Sequence, residues 1–378
     1  MEGVRGLAVL LVFYVHFHTC FASYLGSVEL HTGFGGFFWI IGHAGVDLFF
    51  VLSGYLIYGL ALQRRIGYGP FLRRRLQRLY PVFTFVFVLY VILSYTFPQY
   101  SKIPQESGKA LLYLAQNFAL LPGVFDIKPM IIVAWSLSYE LVFYLTIPGL
   151  VWFTGMHRWR RWSRCMCFLC LAVLYSAYSI LDRPRYLDAS FIAFAPAVHL
   201  RALLFLCGML VYEAVHSESF RAKLSRRGEA AAIMGFVAGF AALYFVELQA
   251  PMLGWWYSVH RAALLGAGFF GFTVYALCFA GSLSKALAWT PLRWLGNLSY
   301  SFYLIHALTI RAVAMVFAAV LAPQTGMWPV YWTGMFAAFA GSLASAAILF
   351  VLIERPYSLA KSGAVDGRLN LAIGAGRQ

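Results

Sequence analysis

The chain has 378 residues, of which 62% are hydrophobic and only 11% are charged. An ordinary soluble domain carries about 25% charged residues, so these figures exclude a soluble globular protein, whose core cannot hide that much apolar surface. They also exclude a disordered chain, which needs low hydrophobicity and high charge. A lipid bilayer is the solvent that fits. Since a spanning helix needs about 20 apolar residues, about ten spans with their connections use up the whole chain.

Apolar runs between clusters of charge predict an all-α, polytopic membrane protein with about ten transmembrane helices in residues 1–357. In chain order the predicted spans are 4–25, 43–62, 79–97, 132–154, 165–181, 196–215, 229–246, 262–281, 299–321 and 330–352. Within the long connection 98–131, the semi-amphipathic stretch 109–121 predicts a helix on the membrane surface. Residues 358–378 are predicted to form a short, disordered cytoplasmic tail.

The net charge of +15 follows the predicted connections. An even number of spans places both termini on one side, and most of the 29 Lys and Arg residues lie at the termini or in connections on that same side. The positive-inside rule therefore predicts cytoplasmic termini, and it makes the charge topological, with no nucleic-acid partner expected. The six cysteines all lie in apolar stretches, where they are typical of small buried hydrophobic residues, so no metal site is predicted.

Ionisable side chains inside predicted spans are costly, which makes each one a functional candidate. In span 1, Arg5 and His16 are eleven residues apart, so they share one helix face and are separated by about 16 Å along the axis. His16 is near mid-membrane. It is either a packed, hydrogen-bonded neutral histidine or the group that takes a proton from an attacking hydroxyl at neutral pH.

Three further spans bring polar groups to a similar depth, which predicts one intramembrane pocket. A carboxylate beside a histidine fixes its tautomer and supports its charged form. Asp47 and Glu140 are the alternative partners of His16, and we expect Asp47, because spans 1 and 2 have a short connection. Structural pairing with a neighbouring helix is the competing interpretation for each polar residue. The candidates in spans 2, 4 and 9 are His43, Asp47, Glu140, Tyr303, His306 and Arg311.

The predicted inner loop before span 3 has more arginines than orientation requires, among them Arg73, Arg75 and Arg78. Arginine binds phosphate in a bidentate manner. The segment therefore predicts a site for a phosphate-bearing donor at the inner mouth of the pocket. The alternative is that these residues provide only topological charge and contacts with lipid headgroups.

In their order and spacing, these segments resemble the acyltransferase 3 family of integral membrane acyltransferases. The matching segments are the Arg5–His16 pair and residues 45–55, 78–81, 135–140, 143–144, 295–306 and 354–356. The sequence of residues 135–140 is most similar to that of family members that modify exopolysaccharide. Relatives usually have several residues ahead of the position matched by Gly3, so a start upstream of Met1 is a further expectation.

The resemblance implies an O-acyltransferase of the bacterial inner membrane. Such an enzyme takes an acyl group, usually acetyl from cytoplasmic acetyl-CoA, to a hydroxyl of an extracytoplasmic polysaccharide or lipid-linked saccharide. It implies that Arg5 and His16 are essential, and it assigns the family's cytoplasmic arginine motif to Arg73 and Arg75. We place Arg78 and Ser53 with the donor-binding residues. Acetyl-CoA is the expected co-substrate, and no metal is expected.

Two points stay open at this level. His16 acts either as general base in direct transfer or as a nucleophile that forms an acyl-histidine. A transporter or flippase of lipid-linked saccharides has the same ten helices, basic loops and buried polar groups, and it is the rival function. Release of free CoA from acetyl-CoA in the presence of acceptor distinguishes the enzyme from the transporter.

Overall fold

A computed structural model describes residues 1–25, 33–63, 67–125, 127–181, 201, 203–248, 256–321 and 326–359. Within these ranges every regular element is a helix, and the pairing of Pro122 with Phe125 is an isolated bridge. The predicted all-α architecture is therefore confirmed. The predicted tail is outside the described residues from 360 onward, and so are Arg64 and Arg65, two further arginines of the predicted inner loop.

The described part of the chain forms fifteen α-helices. In order they are α1 (Glu2–Phe21), α2 (Gly33–Gly42), α3 (Ala44–Gln63), α4 (Tyr68–Thr96), α5 (Ser107–Phe118), α6 (Trp135–Phe153), α7 (Arg161–Leu181), α8 (Leu203–Val215), α9 (Glu218–Arg221), α10 (Arg226–Leu248), α11 (Trp256–Cys278), α12 (Ser282–Leu287), α13 (Thr290–Asn297), α14 (Ser299–Val320) and α15 (Trp328–Leu349). Short 3-10 turns cover Ala22–Tyr24, Pro98–Tyr100, Ile132–Ala134 and Met156–Arg158, and a π-helical segment, Phe350–Leu359, continues α15.

Eight stretches of the described residues are long and apolar enough to cross a membrane. They are Glu2–Tyr24, Gly35–Gln63, Tyr68–Thr96, Ile132–Phe153, Arg226–Val246, Arg261–Cys278, Ser299–Val320 and Trp328–Ser358. The remaining two predicted spans correspond to α7 and to the shorter apolar α8, which follows residues outside the described ranges. The protein is a multi-pass membrane protein, as its composition predicts.

Two helix boundaries differ from the sequence prediction. Helix α4 begins at Tyr68, eleven residues before the predicted start of span 3, so Arg73 to Arg78 are helical and do not form a loop. Pro70 lies in the first turn, where a missing N–H costs nothing. The second span is also longer than predicted, because α2 precedes α3 and the two are separated at His43.

Helix α1 lies in the middle of the bundle and contacts α2, α3, α13, α14 and α15. Helices α3 and α8 cross closely because each has a glycine at the contact. A Cβ atom at Gly54 would lie 2.1 Å from the carbonyl oxygen of Phe205, and one at Gly208 would lie 2.0 Å from that of Val51. Small residues permit this close approach in a membrane, which fixes the face of α3 that turns toward α6 and α14.

Candidate functional site

A cavity of about 100 Å³ lies where α1, α3, α4, α6 and α14 meet. It is lined by Arg5, Val46, Phe49, Phe50, Leu52, Ser53, Arg78, Leu79, Ser136, Leu137, Glu140, Tyr144, Ser299, Tyr300 and Tyr303. The first turns of α1 and α14 and the end of the arginine-rich part of α4 contribute to it, so it belongs to the end of the bundle that holds the chain start and the arginine-rich segment, here called the basic end. The structure thus brings Arg5, Ser53, Arg78, Glu140 and Tyr303 together.

The cavity has an excess of positive charge. Arg5, Arg75 and Arg78 lie within electrostatic range of one another. Glu140 is within range of Arg5 and Arg75, and Glu354 is within range of Arg5 and Arg78. In the described part of the chain, none of these three guanidinium groups forms a hydrogen bond or an ion pair with the protein. Partly buried guanidinium groups without hydrogen-bond or ion-pair partners are costly, so the arrangement suits an anionic ligand.

Glu140 is held in place by two hydroxyl groups. Its Oε1 atom accepts a hydrogen bond of 3.1 Å from Ser53 Oγ and a shorter one from the hydroxyl of Tyr144. Tyr144 is one helical turn from Glu140, so the two share a face of α6. On the same face, Ser136 Oγ lies 2.7 Å from the Tyr303 hydroxyl, which joins α6 to α14.

The remaining hydroxyl groups of the 135–140 segment, those of Ser138 and Tyr139, bond the connection that follows α5. Ser138 Oγ donates to the carbonyl oxygen of Pro122, and the Tyr139 hydroxyl donates to that of Gly123 over 2.6 Å. Gly123 adopts a φ of +95°, a conformation that favours glycine. Ser136, Leu137 and Glu140 therefore line the cavity, whereas Ser138 and Tyr139 anchor the long connection after α5.

The three predicted donor-binding arginines do not share one face of α4. Arg75 and Arg78 are three residues apart and face the cavity side, and the Arg75 guanidinium lies 5.5 Å from the ring centre of Phe71 and 6.0 Å from that of Tyr144. Arg73 is exposed on the other side of the helix. The geometry distinguishes Arg75 and Arg78 from Arg73.

His16 lies beyond the cavity lining, in contact with His306. The two ring centres are 5.0 Å apart at an interplanar angle of 63°. His16 is partly accessible, whereas His306 is fully buried. Within the described residues, His16 forms no hydrogen bond to the protein, and His43 lies within electrostatic range of it. A ring with free nitrogen atoms is available to a substrate.

Asp47 has a different set of partners from the one expected. Its Oδ2 atom accepts a hydrogen bond of 3.0 Å from Arg261, and Arg201 Nε lies 3.5 Å from Oδ1. The fully buried Asp47 carboxylate is thus shared by two arginines, and the Arg201 guanidinium also lies 5.4 Å from the ring centre of Trp135.

The register of α3 against α1 separates Asp47 from His16. A Cβ atom at Gly45 would meet Ala8, Leu11 and Val12, and one at Gly42, the last residue of α2, would meet Leu11 and Val15, so α2 and α3 run opposite to α1. Asp47 is two residues beyond Gly45 and therefore near the level of Ala8, about 12 Å along the axis from His16. The structure assigns the Asp47 carboxylate to Arg261 and Arg201 in place of His16.

Arg311 lies away from the cavity. Its guanidinium is 5.4 Å from the ring centre of Tyr100, in the connection that follows α4. Lys102 in the same connection donates a 3.0 Å hydrogen bond to the carbonyl oxygen of Pro129, and Arg311 and Lys128 are within electrostatic range of it. These three cations form a group at the end of the bundle opposite the basic end.

Sequence reasoning missed Arg201, Arg261 and Tyr144 as candidates. The first two are single arginines within or beside apolar runs. An ionisable side chain inside a membrane is costly, and this cost makes each of them a functional candidate. Tyr144 follows Glu140 by four residues, a spacing that places two side chains on one helix face.

Comparison with known proteins gives a consistent result. The family model described as an acyltransferase domain matches residues 1–349. A Bacillus subtilis (strain 168) protein provisionally named peptidoglycan O-acetyltransferase YrhL is 28% identical over 81% of this chain and 47% of its own length. The peptidoglycan O-acetyltransferase OatA of Listeria monocytogenes is 26% identical over 81% of this chain and 48% of its own length.

A third relative matches over most of its length. The exopolysaccharide production protein ExoZ of Rhizobium meliloti is 26% identical over 85% of this chain and 91% of its own length. The chain spans about half the length of the two peptidoglycan O-acetyltransferases. No solved structure matches the chain significantly.

Proposed function

The chain belongs to the acyltransferase 3 family, and we propose that it moves an acetyl group from acetyl-CoA to a hydroxyl of an extracytoplasmic polysaccharide. The names of its relatives indicate O-acetylation of peptidoglycan in one case and exopolysaccharide production in another. Both acceptor classes are saccharides with many free hydroxyl groups, so the proposal concerns that shared chemistry.

The unpaired arginines of the cavity are the observation that supports an anionic donor. Among the described residues Arg5, Arg75 and Arg78 form no hydrogen bond or ion pair with the protein, and the carboxylates within electrostatic range of them are Glu140 and Glu354. The phosphates of acetyl-CoA supply the missing negative charge, and arginine binds phosphate through two parallel hydrogen bonds. Because the cavity lies at the basic end, which the positive-inside rule places in the cytoplasm, the donor enters from the cytoplasm.

His16 is the proposed general base. It is a histidine at membrane depth whose ring is partly accessible and has no protein hydrogen bond among the described residues. As the acceptor hydroxyl oxygen attacks the thioester carbonyl, His16 takes the hydroxyl proton. The new C–O bond forms, the C–S bond breaks, and the proton passes from His16 to the CoA sulfur, so the products are an acetyl ester and free CoA.

The direct test is release of free CoA by the purified protein in lipid nanodiscs, with acetyl-CoA and a polysaccharide acceptor. We expect acceptor-dependent thiol release that His16→Ala abolishes, with normal expression, since removal of one neutral polar group costs a helix bundle little. His216→Ala is the matched control, because His216 stacks on Tyr212 away from the cavity.

Each outcome of this assay is informative. Thiol release by His16→Ala at the wild-type rate contradicts the role of His16. A wild-type protein that moves a lipid-linked saccharide between leaflets and releases no CoA is a transporter, and the proposed function is then wrong. Exopolysaccharide and peptidoglycan fragments, tested in parallel, identify the acceptor class by the one that stimulates release.

A further inference from the structure

His306 is a buried histidine that the transfer described above does not use. Its Nδ1 atom lies 2.8 Å from the carbonyl oxygen of Tyr303 and 3.0 Å from that of Phe302. Carbonyl oxygens only accept hydrogen bonds, so Nδ1 must carry the proton and donate it. The neutral ring therefore has its lone pair on Nε2, and the backbone of α14 fixes this tautomer.

The Nε2 atom of His306 is a buried acceptor without a donor. It is excluded from solvent and has no hydrogen-bond partner among the described residues. Leaving such an atom unsatisfied costs about 1–3 kcal/mol. The neighbouring ring is that of His16, whose centre lies 5.0 Å from the centre of the His306 ring, and no hydrogen bond joins the two rings in this structure. An N–H···N bond of about 3 Å between two imidazole rings needs nearly this separation of centres.

We propose that His306 is the positioning residue of His16, an inference that rests on the proposed function. His306 Nε2 accepts the N–H of His16, which leaves the other His16 nitrogen unprotonated and turned toward the acceptor hydroxyl. When His16 takes the hydroxyl proton, the same hydrogen bond stabilises the charged ring. The proton then leaves with the CoA sulfur, and His306 keeps its own proton on Nδ1 throughout.

This role is one that a carboxylate fills in many histidine-dependent enzymes. In the described structure neither Asp47 nor Glu140 contacts His16, because Asp47 pairs with Arg261 and Glu140 bonds Ser53 and Tyr144. A neutral imidazole acceptor fills the position without placing another charge in the membrane interior, where unpaired charge is costly.

His43 is the competing neighbour. Its Nδ1 atom lies 2.9 Å from the carbonyl oxygen of Trp39, so its Nε2 is also an acceptor. Its ring contacts Trp39, with centres 4.5 Å apart, and the charges of Arg201 and Arg261 are close to it. The ring contact with His16 belongs to His306, and this contact selects His306.

A matched pair of variants tests the proposal. In His306→Asn the amide nitrogen occupies the place of Nδ1 and can donate to the backbone, but nothing reaches the place of Nε2. In His306→Gln the longer side chain brings an amide oxygen to the Nε2 position. We expect His306→Asn to lower kcat on the order of 100-fold and His306→Gln to restore most of that loss. The KM for acetyl-CoA should stay unchanged in both.

Equal kcat values for the two variants, or a loss that appears in KM, would overturn the proposal, since a purely structural role does not distinguish the two amides. The same exchange at His43 should give equal values for Asn and Gln, and a difference there with none at His306 would transfer the role to His43. His306→Phe keeps the ring volume without an acceptor, and it carries the test if His306→Asn does not fold.

A double variant gives an independent readout. If His306 acts only through His16, then His16→Ala combined with His306→Asn should be no slower than His16→Ala alone. A further loss would mean that His306 acts independently. When wild type releases CoA and His16→Ala does not, a negative result at His306 removes this inference alone. When wild type releases no CoA, the proposed function fails and this inference falls with it.

Discussion

Two regions of the bundle treat buried charge in opposite ways. Around α7 and α8, Glu213 is fully satisfied: Arg164 donates two hydrogen bonds of 2.6 and 2.8 Å to its two oxygen atoms, and the Tyr58 hydroxyl donates another of 2.5 Å. In the cavity, by contrast, Arg5 and Arg78 line open space, and among the described residues they form no hydrogen bond or ion pair with the protein. Both regions place ionisable groups deep in the bundle.

The two regions differ in how many hydrogen-bond partners each charged group has within the protein, and not in how deeply the group is buried. A carboxylate whose oxygen atoms are all used by arginine and tyrosine has no capacity left for a ligand, so Glu213 joins helices. Arginines left without anions are a standing electrostatic cost, and binding of an anionic substrate removes it. Depth in the membrane identifies candidates, whereas the pairing of each group distinguishes a structural charge from one available to a substrate.

The largest effect on stability is expected at the ion pair between Glu213 and Arg164. Glu213→Gln leaves Arg164 buried and uncompensated, which should lower the free energy of unfolding by about 3–5 kcal/mol. Chemical denaturation in detergent micelles measures this. Transfer per folded molecule should be unchanged, because Glu213 does not line the cavity. A normal stability with lost transfer would remove the distinction between the two regions.

The same substitution in the cavity should have the opposite result. Glu140→Gln keeps the shape but removes the only carboxylate among the lining residues and disturbs the bonds from Ser53 and Tyr144. We expect kcat to fall about 100-fold, or about 2.7 kcal/mol in activation free energy, with a change in unfolding free energy below about 1 kcal/mol. Steady-state CoA release and denaturation, run on one preparation, check both values.

Much of the fold is predictable from the sequence, because apolar runs of about 20 residues have one stable environment. Errors came where two signals conflict. The arginines at 73–78 indicate a connection between spans, yet the segment continues α4, since long arginine side chains can extend to the membrane surface from a helix. Pro81 lies inside the same helix, which costs one backbone hydrogen bond without ending it.

The sequence predicts which residues belong to the site much better than it predicts which of them contact one another. Arg5, Glu140 and Tyr303 follow from the cost of polar groups inside a span, and the cavity brings them together. The partner of Asp47 does not follow, because Arg261 is 214 positions away in the chain and only the packing of α3 against α11 makes them neighbours. The sequence predicts Asp47 beside His16 because the connection between the first two spans is short, but closeness in the chain does not place the two side chains together.

A smaller effect separates the arginines of α4. Arg75→Ala and Arg78→Ala should each raise the KM for acetyl-CoA about tenfold, the low end of what a hydrogen bond to a charged group contributes. Arg73→Ala should change it less than twofold, since Arg73 is exposed on the other side of the helix. Added salt should weaken donor binding in part. Equal losses at all three positions would indicate a diffuse basic surface in place of a phosphate site.

The smallest effect concerns charges that solvent can screen. Burial, and then the nearby Arg311 and Lys128, lower the pKa of Lys102 below its usual value, so the folded protein binds that proton less tightly than the unfolded chain. The resulting loss of stability is present at neutral pH and disappears as pH rises through the range between the lowered and the ordinary lysine pKa. Lys102→Gln should therefore stabilise the protein at pH 7 by no more than about 0.5 kcal/mol. The part of the gain that comes from Arg311 and Lys128 should decrease in high salt, whereas the part that comes from burial should remain. A thermal melt at two salt concentrations separates the two. A loss of stability in Lys102→Gln would show that the hydrogen bond to Pro129 outweighs the repulsion, and the Lys102 group would then count among the paired charges.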